Sequence, residues 1–216
     1  MQSSKRPYYD ISPEISEKTA VFPGDQPYQR KIQLGFGKGD HLGLSSIRTT
    51  VHIGAHADAP SHYHPKGAPI DARNLDFYFG PCQVISAGKS KGGRLTTSDI
   101  ALTALKAPRV LFKTGSFPNP NRWTNDFNSL SPELIEILAK KKVKLIGIDT
   151  PSIDPWDSKK LESHRAVFKA DMAILEGLTL AGVPDGRYQL MALPLRLKGA
   201  DASPVRAVLV KQHGKN

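Results

Sequence analysis

The chain has 216 residues, of which 39% are hydrophobic, and a formal net charge of +10. A chain of this length can bury a sizeable core, as one large domain or two small ones. No stretch reaches the ~18 consecutive apolar residues of a membrane helix, and no charged-then-apolar leader precedes the first predicted strand. We therefore expect a cytoplasmic protein without a membrane-spanning segment.

The basic charge raises the question of nucleic-acid binding. The lysines and arginines are scattered, and the densest run, residues 140–142, lies at the end of a predicted helix. Cations at that position interact favourably with the helix dipole. No basic stripe alternates with aromatic residues, so we expect no nucleic-acid partner and keep such binding only as an alternative class of function.

The chain contains one cysteine, Cys82, in the predicted strand GPCQVISA. It cannot form an internal disulfide, and a lone cysteine can serve as a nucleophile. Neither a helix start nor a basic neighbour flanks it, so we interpret Cys82 as a buried structural thiol.

Loops and short strands are predicted for the first part of the chain. Residues 1–6 are polar and are expected to be loose. Phe22 stands before a Pro-Gly-Asp turn, where Pro23 presets φ and Gly24 tolerates a positive φ. The glycine-rich segment GFGKGD lacks both the G-x-G-x-x-G spacing and a following helix, so it is interpreted as a hairpin or loop rather than a phosphate site.

Five potential metal ligands then follow within a short segment: His52, His56, Asp58, His62 and His64. The β-branched residues before and between them favour a strand. In a strand, His52, His56 and Asp58 share one face, and Gly54 leaves room between the two imidazoles. Pro60 ends such a strand, so His62 is expected to enter from a turn.

Two alternatives exist for this segment. Histidines four residues apart also share a helix face, as in zinc proteases, and a polar loop would leave them in solvent. The β-branched run, the internal glycine and the following proline argue against the helix, and the spacing taken as a unit argues against the loop. Imidazole and carboxylate ligands suit zinc or a similar divalent ion.

The second half of the chain contains predicted helices and strands in a mixed order. Helices are predicted over Thr96–Leu105, over Ser131–Lys142 with Ser131 as its cap, and from Ser163 through Met172, carrying His164. Strands are predicted for RVLFKTG, VKLIGID, AILEGL, YQLMALPLRL and PVRAVLV. VKLIGID is continuously apolar and therefore central, and the turn-rich DTPSIDPWDS follows it, where ligand sites in α/β sheets commonly lie.

Glu176 is embedded in the apolar strand AILEGL. A buried carboxylate is costly unless it is paired or metal-bound. A lysine or arginine partner is the usual explanation, but the histidine segment offers a cation instead. Because strands outnumber helices in a mixed order, we predict a single α/β domain with a mixed sheet and few helices.

Together these segments resemble the cyclase-like metal hydrolases, and within them the bacterial kynurenine formamidase family. HIGAHADAPSH, GIDTPSIDPWDS, ESHRAVF and AILEGL follow the family's order, and the resemblance runs from Tyr9 to Val210. Ala55 stands where the family usually has threonine, at a position expected to point away from the metal. The resemblance implies a swivelling β/β/α layered fold for residues 1–216 as one domain, and a homodimer.

The resemblance also implies the roles of individual residues. Asp58 would bridge two metal ions, Glu176 would touch both, and His62 would be the catalytic acid/base. Phe22 matches a pocket-lining aromatic that is usually tryptophan, and lacks its indole N–H; His64 has no counterpart and is expected near the site or at the surface. The implied metal ligands are His52, His56, Asp58, His164 and Glu176.

The activity implied by the resemblance is metal-dependent hydrolysis of N-formyl-L-kynurenine to L-kynurenine and formate. Two zinc ions would activate the water, with manganese or cobalt as alternatives. A related cyclic-amide hydrolase of the isatin type would share the ligands and is the alternative activity.

Overall fold

A computed structural model of the protein describes residues 7–89 and 92–211; the predicted looseness of residues 1–6 lies outside this range. Three α-helices are formed by the described residues: α1 (Pro60–Tyr63), α2 (Pro132–Lys140) and α3 (Glu162–Lys169). The strands are β1 (Tyr8–Asp10), β2 (Gln29–Leu34), β3 (Leu44–Arg48), β4 (His56–Asp58), β5 (Phe79–Ser86), β6 (Arg94–Leu95), β7 (Arg109–Lys113), β8 (Ser129–Leu130), β9 (Leu145–Ile148), β10 (Ala173–Glu176), β11 (Gly186–Met191), β12 (Ala202–Pro204) and β13 (Val208–Lys211).

Nine strands form one sheet in the order β1-β13-β11-β5-β7-β9-β10-β4-β12. The middle strands β5, β7, β9 and β10 are parallel to one another, and the flanking pairs are antiparallel. β2 and β3 form a separate hairpin, and β6 pairs with β8. The predicted α/β fold with a mixed sheet and few helices is confirmed.

Both faces of the central strands are buried, because successive side chains point to opposite faces. Val110 and Phe112 of β7 pack in one cluster with α2 and α3, whereas Leu111 lies in the other cluster. That second cluster also contains Ala57 of β4 and Leu190 of β11, which lie towards opposite ends of the sheet. The sheet therefore curls around it, with the helices on the outside.

Helix α2 matches its prediction: the Ser131 hydroxyl accepts the Leu134 N–H, and Pro132 occupies the first turn. The predicted start of the third helix is wrong. Helix α3 begins at Glu162 and ends at Lys169, and Ser163 lies inside it, donating its hydroxyl to the Leu130 carbonyl. Asp154, nine residues upstream, accepts the Ser163 N–H, so its carboxylate caps α3 in place of the predicted Ser163.

The predicted helix over Thr96–Leu105 is also wrong. Two 3₁₀ turns, Thr97–Asp99 and Leu102–Ala104, replace it. Thr96 and Asp99 do form a capping box, but the backbone becomes extended at Ile100. Short helices are marginal without tertiary packing, and neither turn contains a buried residue.

The strand predicted to carry the histidines is interrupted. β3 ends at Arg48 and pairs only with β2, and the main sheet resumes at His56. Between them the chain turns and bends over residues 51–55, and Gly54 adopts a φ of 58°, so His52 reaches the site from a turn rather than from the face of a strand. Pro60 then starts α1 as its first residue, and His62 lies on that helical turn.

Cys82 is buried in β5, and burial raises the pKa of its thiol to about 12. The thiol therefore stays protonated at neutral pH, which fits a structural role. None of the helices in the described part of the chain is both long enough and apolar enough to cross a membrane.

Candidate metal centre

Strands β4 and β10 bring three of the predicted ligands together. In their antiparallel register Glu176 lies opposite His56, so the two side chains share a face, and Asp58 follows two residues after His56 on the same face. His56 Nε2 lies 3.4 Å from Glu176 Oε2 and 3.4 Å from Asp58 Oδ1. All three side chains are buried, beside the carboxyl ends of the parallel strands.

His52 completes this side of the site from the preceding turn, with its Nδ1 3.0 Å from Asp58 Oδ1. The turn depends on two glycines. Gly54 turns its carbonyl towards His56 Nδ1, at 2.9 Å, and a Cβ on Gly177 would lie 2.1 Å from that carbonyl oxygen. Gly54 therefore has two roles besides leaving room between the imidazoles. Its positive φ allows the bend before β4, and its carbonyl orients the ring of His56.

Helix α3 contributes His164 from the other side. Its Nε2 lies 3.3 Å from Asp58 Oδ2 and 3.5 Å from Glu176 Oε1. Its Nδ1 is 2.8 Å from Asp154 Oδ2, and Arg94 Nη2 holds the other oxygen of Asp154 at 3.0 Å. Asp154 thus anchors both the first turn of α3 and the ring of His164.

The five predicted ligands converge into two overlapping groups. Asp58 belongs to both groups, since its Oδ1 faces His52 and its Oδ2 faces His164. The two oxygens of Glu176 are divided in the same way between His56 and His164. Such a division of carboxylate oxygens suits two adjacent cations.

The hydrogen bonds on the outer sides of the imidazoles fit metal ligation. The outward nitrogens of His52, His56 and His164 face Asp201, the Gly54 carbonyl and Asp154, at 3.0, 2.9 and 2.8 Å. Metal-binding histidines usually donate their other N–H to a carboxylate or carbonyl, which leaves the inward lone pair free. Asp58 Oδ1 is buried without a hydrogen-bond donor, so a cation between these groups would satisfy it.

The electrostatics of the centre also favour a cation. Burial alone would lower the pKa of His52, but Asp58 and Asp201 outweigh it and raise the pKa to about 9. Burial would likewise lower the pKa of His164, but its hydrogen bonds to Asp154, Asp58 and Glu176 hold that pKa well above its ordinary value. Without a metal, the raised pKa values of His52 and His164 favour protonated rings beside the surrounding carboxylates. A divalent cation would displace these protons.

His62 lies beside this cage rather than within it. Its ring centroid is 4.1 Å from that of His52, its Nδ1 lies 3.4 Å from Asp201 Oδ2, and its side chain is 35% exposed. His52, His62 and Asp201 are themselves close enough together to hold an ion. However, His52 can direct only one lone pair at a metal, and its Nδ1 faces the buried Asp58.

Two residues at this site were missed by the sequence analysis. Asp201 is 149 positions from His52, and no local pattern marked it. Asp154 lies within the DTPSIDPWDS segment, but its role depends on where α3 packs. His64 lies outside the cage, and its ring stacks on Phe168 with centroids 3.7 Å apart. Ala55 is buried in the core cluster, away from the ligands.

A cavity of about 970 Å³ opens over the centre, with His52, His62, His164 and Glu176 in its lining. Phe22 is 39% exposed and forms part of its wall. Its ring meets that of Trp123 edge to face at 5.1 Å, and Trp156 lines the cavity as well. Trp123 donates its indole N–H to Asn125 at 2.6 Å, so it offers the cavity a ring rather than a donor.

This combination of a curled mixed sheet and a cage of histidines and carboxylates defines a metal-dependent hydrolase. The family model for cyclases matches residues 9–155. The kynurenine formamidase of Bordetella petrii is 46% identical over 203 residues, which cover 93% of this chain and 96% of that protein. The chain therefore belongs to the cyclase family and, within it, to the kynurenine formamidases.

Solved structures agree with the cyclase family and its fold. A potential metal-dependent hydrolase with cyclase activity superposes with a TM-score of 0.81 at 30% identity, covering 95% of this chain and 98% of the other. Isatin hydrolase A from Labrenzia aggregata superposes with a TM-score of 0.79 at 22% identity, covering 94% of this chain and 92% of the other. At that identity the second likeness concerns the fold alone.

Proposed function

We propose that the protein hydrolyses N-formyl-L-kynurenine to L-kynurenine and formate. The observation that carries this proposal is the five-ligand cage beneath an aromatic-walled cavity, in a chain 46% identical to a kynurenine formamidase. An amide hydrolase of this kind needs an activated water, a proton carrier and a site for the aryl group. The described residues contain a candidate for each.

We assign the cage to two zinc ions, with manganese or cobalt as alternatives. His52, His56 and Asp58 would hold the first ion, and Asp58, His164 and Glu176 the second. When bound, such ions polarise a carbonyl oxygen and lower the pKa of water to about 7. The test is metal analysis of protein loaded with zinc: wild type should hold about two ions, and His164→Ala and Glu176→Gln should weaken the second site more than the first. One ion that neither change affects would leave only the first site.

His62 is proposed to move the proton. Its exposed ring borders the cavity next to His52, so it can accept a proton from the water that adds to the formyl carbon. It then donates this proton to the aryl nitrogen as the C–N bond breaks, which releases the amine and formate. The described chain does not need a serine or cysteine nucleophile for this reaction, and the buried thiol of Cys82 takes no part in it.

Phe22 is proposed to contact the aryl ring of the substrate. It lies at the cavity wall on a tight turn, in which the Asp25 N–H donates to the Phe22 carbonyl at 2.9 Å. Trp123 packs against it and widens the aromatic surface. Aromatic pairs contribute about 0.5–1.5 kcal/mol beyond the burial of their surface.

Turnover of N-formyl-L-kynurenine and of isatin, measured side by side on the zinc-loaded protein, tests the proposed substrate. We expect kcat/KM for the formamide to exceed that for isatin by orders of magnitude. Preferential opening of the isatin ring would replace the formamidase assignment with the cyclic-amide alternative.

We also propose a homodimer that works in the cytoplasm. The β2–β3 hairpin pairs with no other strand in the described residues, and it exposes Phe36 by 73% and Ile47 by 64%. A two-stranded hairpin is only marginally stable alone, and apolar side chains exposed on it are suited to a contact with a second copy.

Sedimentation analysis tests this assembly. The double substitution Phe36→Ser with Ile47→Ser should shift the protein towards monomer. Leu75→Ser, at an apolar residue that is 52% exposed outside the hairpin, should leave the assembly unchanged. A wild-type monomer, or a dimer indifferent to the hairpin changes, would contradict the proposal.

A further inference from the structure

Asp201 holds two imidazoles with one carboxylate oxygen. Its Oδ2 lies 3.0 Å from His52 Nε2 and 3.4 Å from His62 Nδ1. The backbone fixes this arrangement: the Asp201 carbonyl accepts the Ala59 N–H at 2.8 Å, and Ala202 is the register partner of Asp58. Because α1 begins immediately after Ala59, Asp201 is tied to the start of the helical turn that carries His62.

This geometry selects one tautomer of His62. An ionised carboxylate can only accept hydrogen bonds, and Asp201 Oδ2 lies within hydrogen-bond distance of His52 Nε2, at 3.0 Å. The nitrogen of His62 nearest to Asp201 Oδ2 is Nδ1, at 3.4 Å, so the carboxylate favours the neutral tautomer that carries its proton on Nδ1. Its Nε2 lone pair then points away from Asp201, and the ring borders the cavity. Without an acceptor at Nδ1, both tautomers and several ring orientations would be populated.

We propose that Asp201 is the positioning residue for His62, an inference that rests on the acid/base role proposed above. Asp201 accepts a hydrogen bond from Nδ1–H of His62 and stays ionised, which leaves Nε2 free to take a proton from water. Its negative charge then stabilises the imidazolium until Nε2 passes that proton to the aryl nitrogen. Because the same oxygen faces His52, one carboxylate aligns the acid/base with a proposed metal ligand.

The substitution Asp201→Asn tests this proposal, since it keeps the shape but removes the charge. On zinc-loaded protein with N-formyl-L-kynurenine we expect kcat to fall by about 10- to 100-fold, a part of the ~10²–10⁴-fold contribution of an acid/base group. Bound zinc and KM should stay near wild type. Asp171→Asn is the matched control, because Asp171 is an exposed partner of Arg73 and should leave kcat unchanged. Loss of zinc with the activity would show that Asp201 acts through His52, which overturns the proposal.

A double-mutant cycle separates action through His62 from action elsewhere. If Asp201 works through His62, Asp201→Asn should change kcat by less than about 3-fold in a His62→Ala background, since residues acting as a unit are non-additive. A full additional loss would overturn the proposal. The proposal would also be overturned if His62→Ala kept the wild-type kcat while Asp201→Asn lowered kcat.

Imidazole ¹⁵N shifts of the zinc-loaded protein supply a readout that needs no turnover. The His62 signals, identified by their absence in His62→Ala, should indicate the Nδ1–H tautomer in wild type and a mixture in Asp201→Asn. A mixture in wild type would refute the positioning role. If the tautomer is as expected but N-formyl-L-kynurenine is not cleaved, the proposed function fails and the positioning role stands.

Discussion

At the scale of single residues, the centre is organised by how each polar atom is oriented rather than by which residues are present. Asp58 is fully buried, and it directs Oδ1 to His52 and Oδ2 to His164. Burial alone would raise the pKa of Asp58, but His52 and His164 hold it well below its ordinary value. Asp58 therefore remains ionised throughout the neutral pH range, as its proposed role as a metal ligand requires.

His62 is expected to be catalytic without being a metal ligand. His62→Ala should lower kcat by about 10²–10⁴-fold, while zinc content stays at the wild-type value because the ring lies outside the buried cage. Kinetics and metal analysis on the same preparation check this. Zinc loss would make His62 a ligand, and near-wild-type rates would remove it from the reaction.

Phe22 is expected to recognise the aryl group of the substrate. Phe22→Ala should lower kcat/KM for N-formyl-L-kynurenine by about 10-fold, since 1.4 kcal/mol corresponds to a factor of ten, but should spare a small non-aromatic formamide. Phe22→Trp should retain most of the activity. Equal losses on both substrates would mean that the ring supports the loop around Trp123 rather than the substrate.

At the scale of elements, the site depends on a close crossing between two segments. The turn before β4 and the residue after β10 meet at Gly54 and Gly177, both with positive φ. The crossing places the Gly54 carbonyl against His56 Nδ1. The sequence of either segment alone does not show this constraint, because the backbone at Gly54 determines that no side chain fits at Gly177.

Gly177→Ala should therefore displace the Gly54 carbonyl and weaken both zinc binding and stability. Gly182→Ala is the matched control: Gly182 has a comparable φ of 78°, and a Cβ there would meet nothing within 4 Å. Both changes incur the ~1–2 kcal/mol of left-handed strain. Gly177→Ala should lower the free energy of unfolding by at least about 2 kcal/mol more. Equal effects in urea denaturation and zinc titration would exclude the crossing as the cause.

At the scale of the whole molecule, the centre joins three regions that are distant in sequence: the turn and strand around β4, the consecutive elements α3 and β10, and the loop before β12. The first two regions supply the proposed metal ligands, and the third supplies Asp201. Metal binding should therefore stabilise the entire fold, since the unfolded chain has no preformed site.

Proton linkage at His52 gives a pH prediction for metal-free protein. The pKa of His52 rises from 6.5 to about 9 on folding, so the folded state binds its proton more tightly than the unfolded state. This contribution to stability is complete below pH 6.5 and is lost as the pH rises towards about 9. Zinc displaces the proton, so the loaded protein should lack this decline. Urea denaturation of both forms between pH 6 and 9 measures it, and a metal-free protein that gains stability over this window would contradict the assignment.

The sequence alone was enough to predict the residues that converge at the centre, most strands of the main sheet and the mixed α/β class. The prediction used the spacing of the histidines, a carboxylate within an apolar strand and the order of the family segments. All three can be read from the sequence, because they depend only on residue type and position. Helix α2 was predictable for the same reason, because Ser131 and Pro132 act within one helical turn.

Other features depend on how segments pack against one another and were therefore visible only in the tertiary structure. Asp154 replaced the expected cap of α3, the Thr96–Leu105 segment lacked the packing that a short helix needs, and Gly54 broke the strand expected to carry His52. Asp201 and Trp123 join the site only through folding, since neither lies in a local pattern with the ligands. Local patterns such as a helix cap can be recognised from neighbouring residues, whereas a contact such as that of Asp201 with His52, 149 positions apart, forms only when the chain folds.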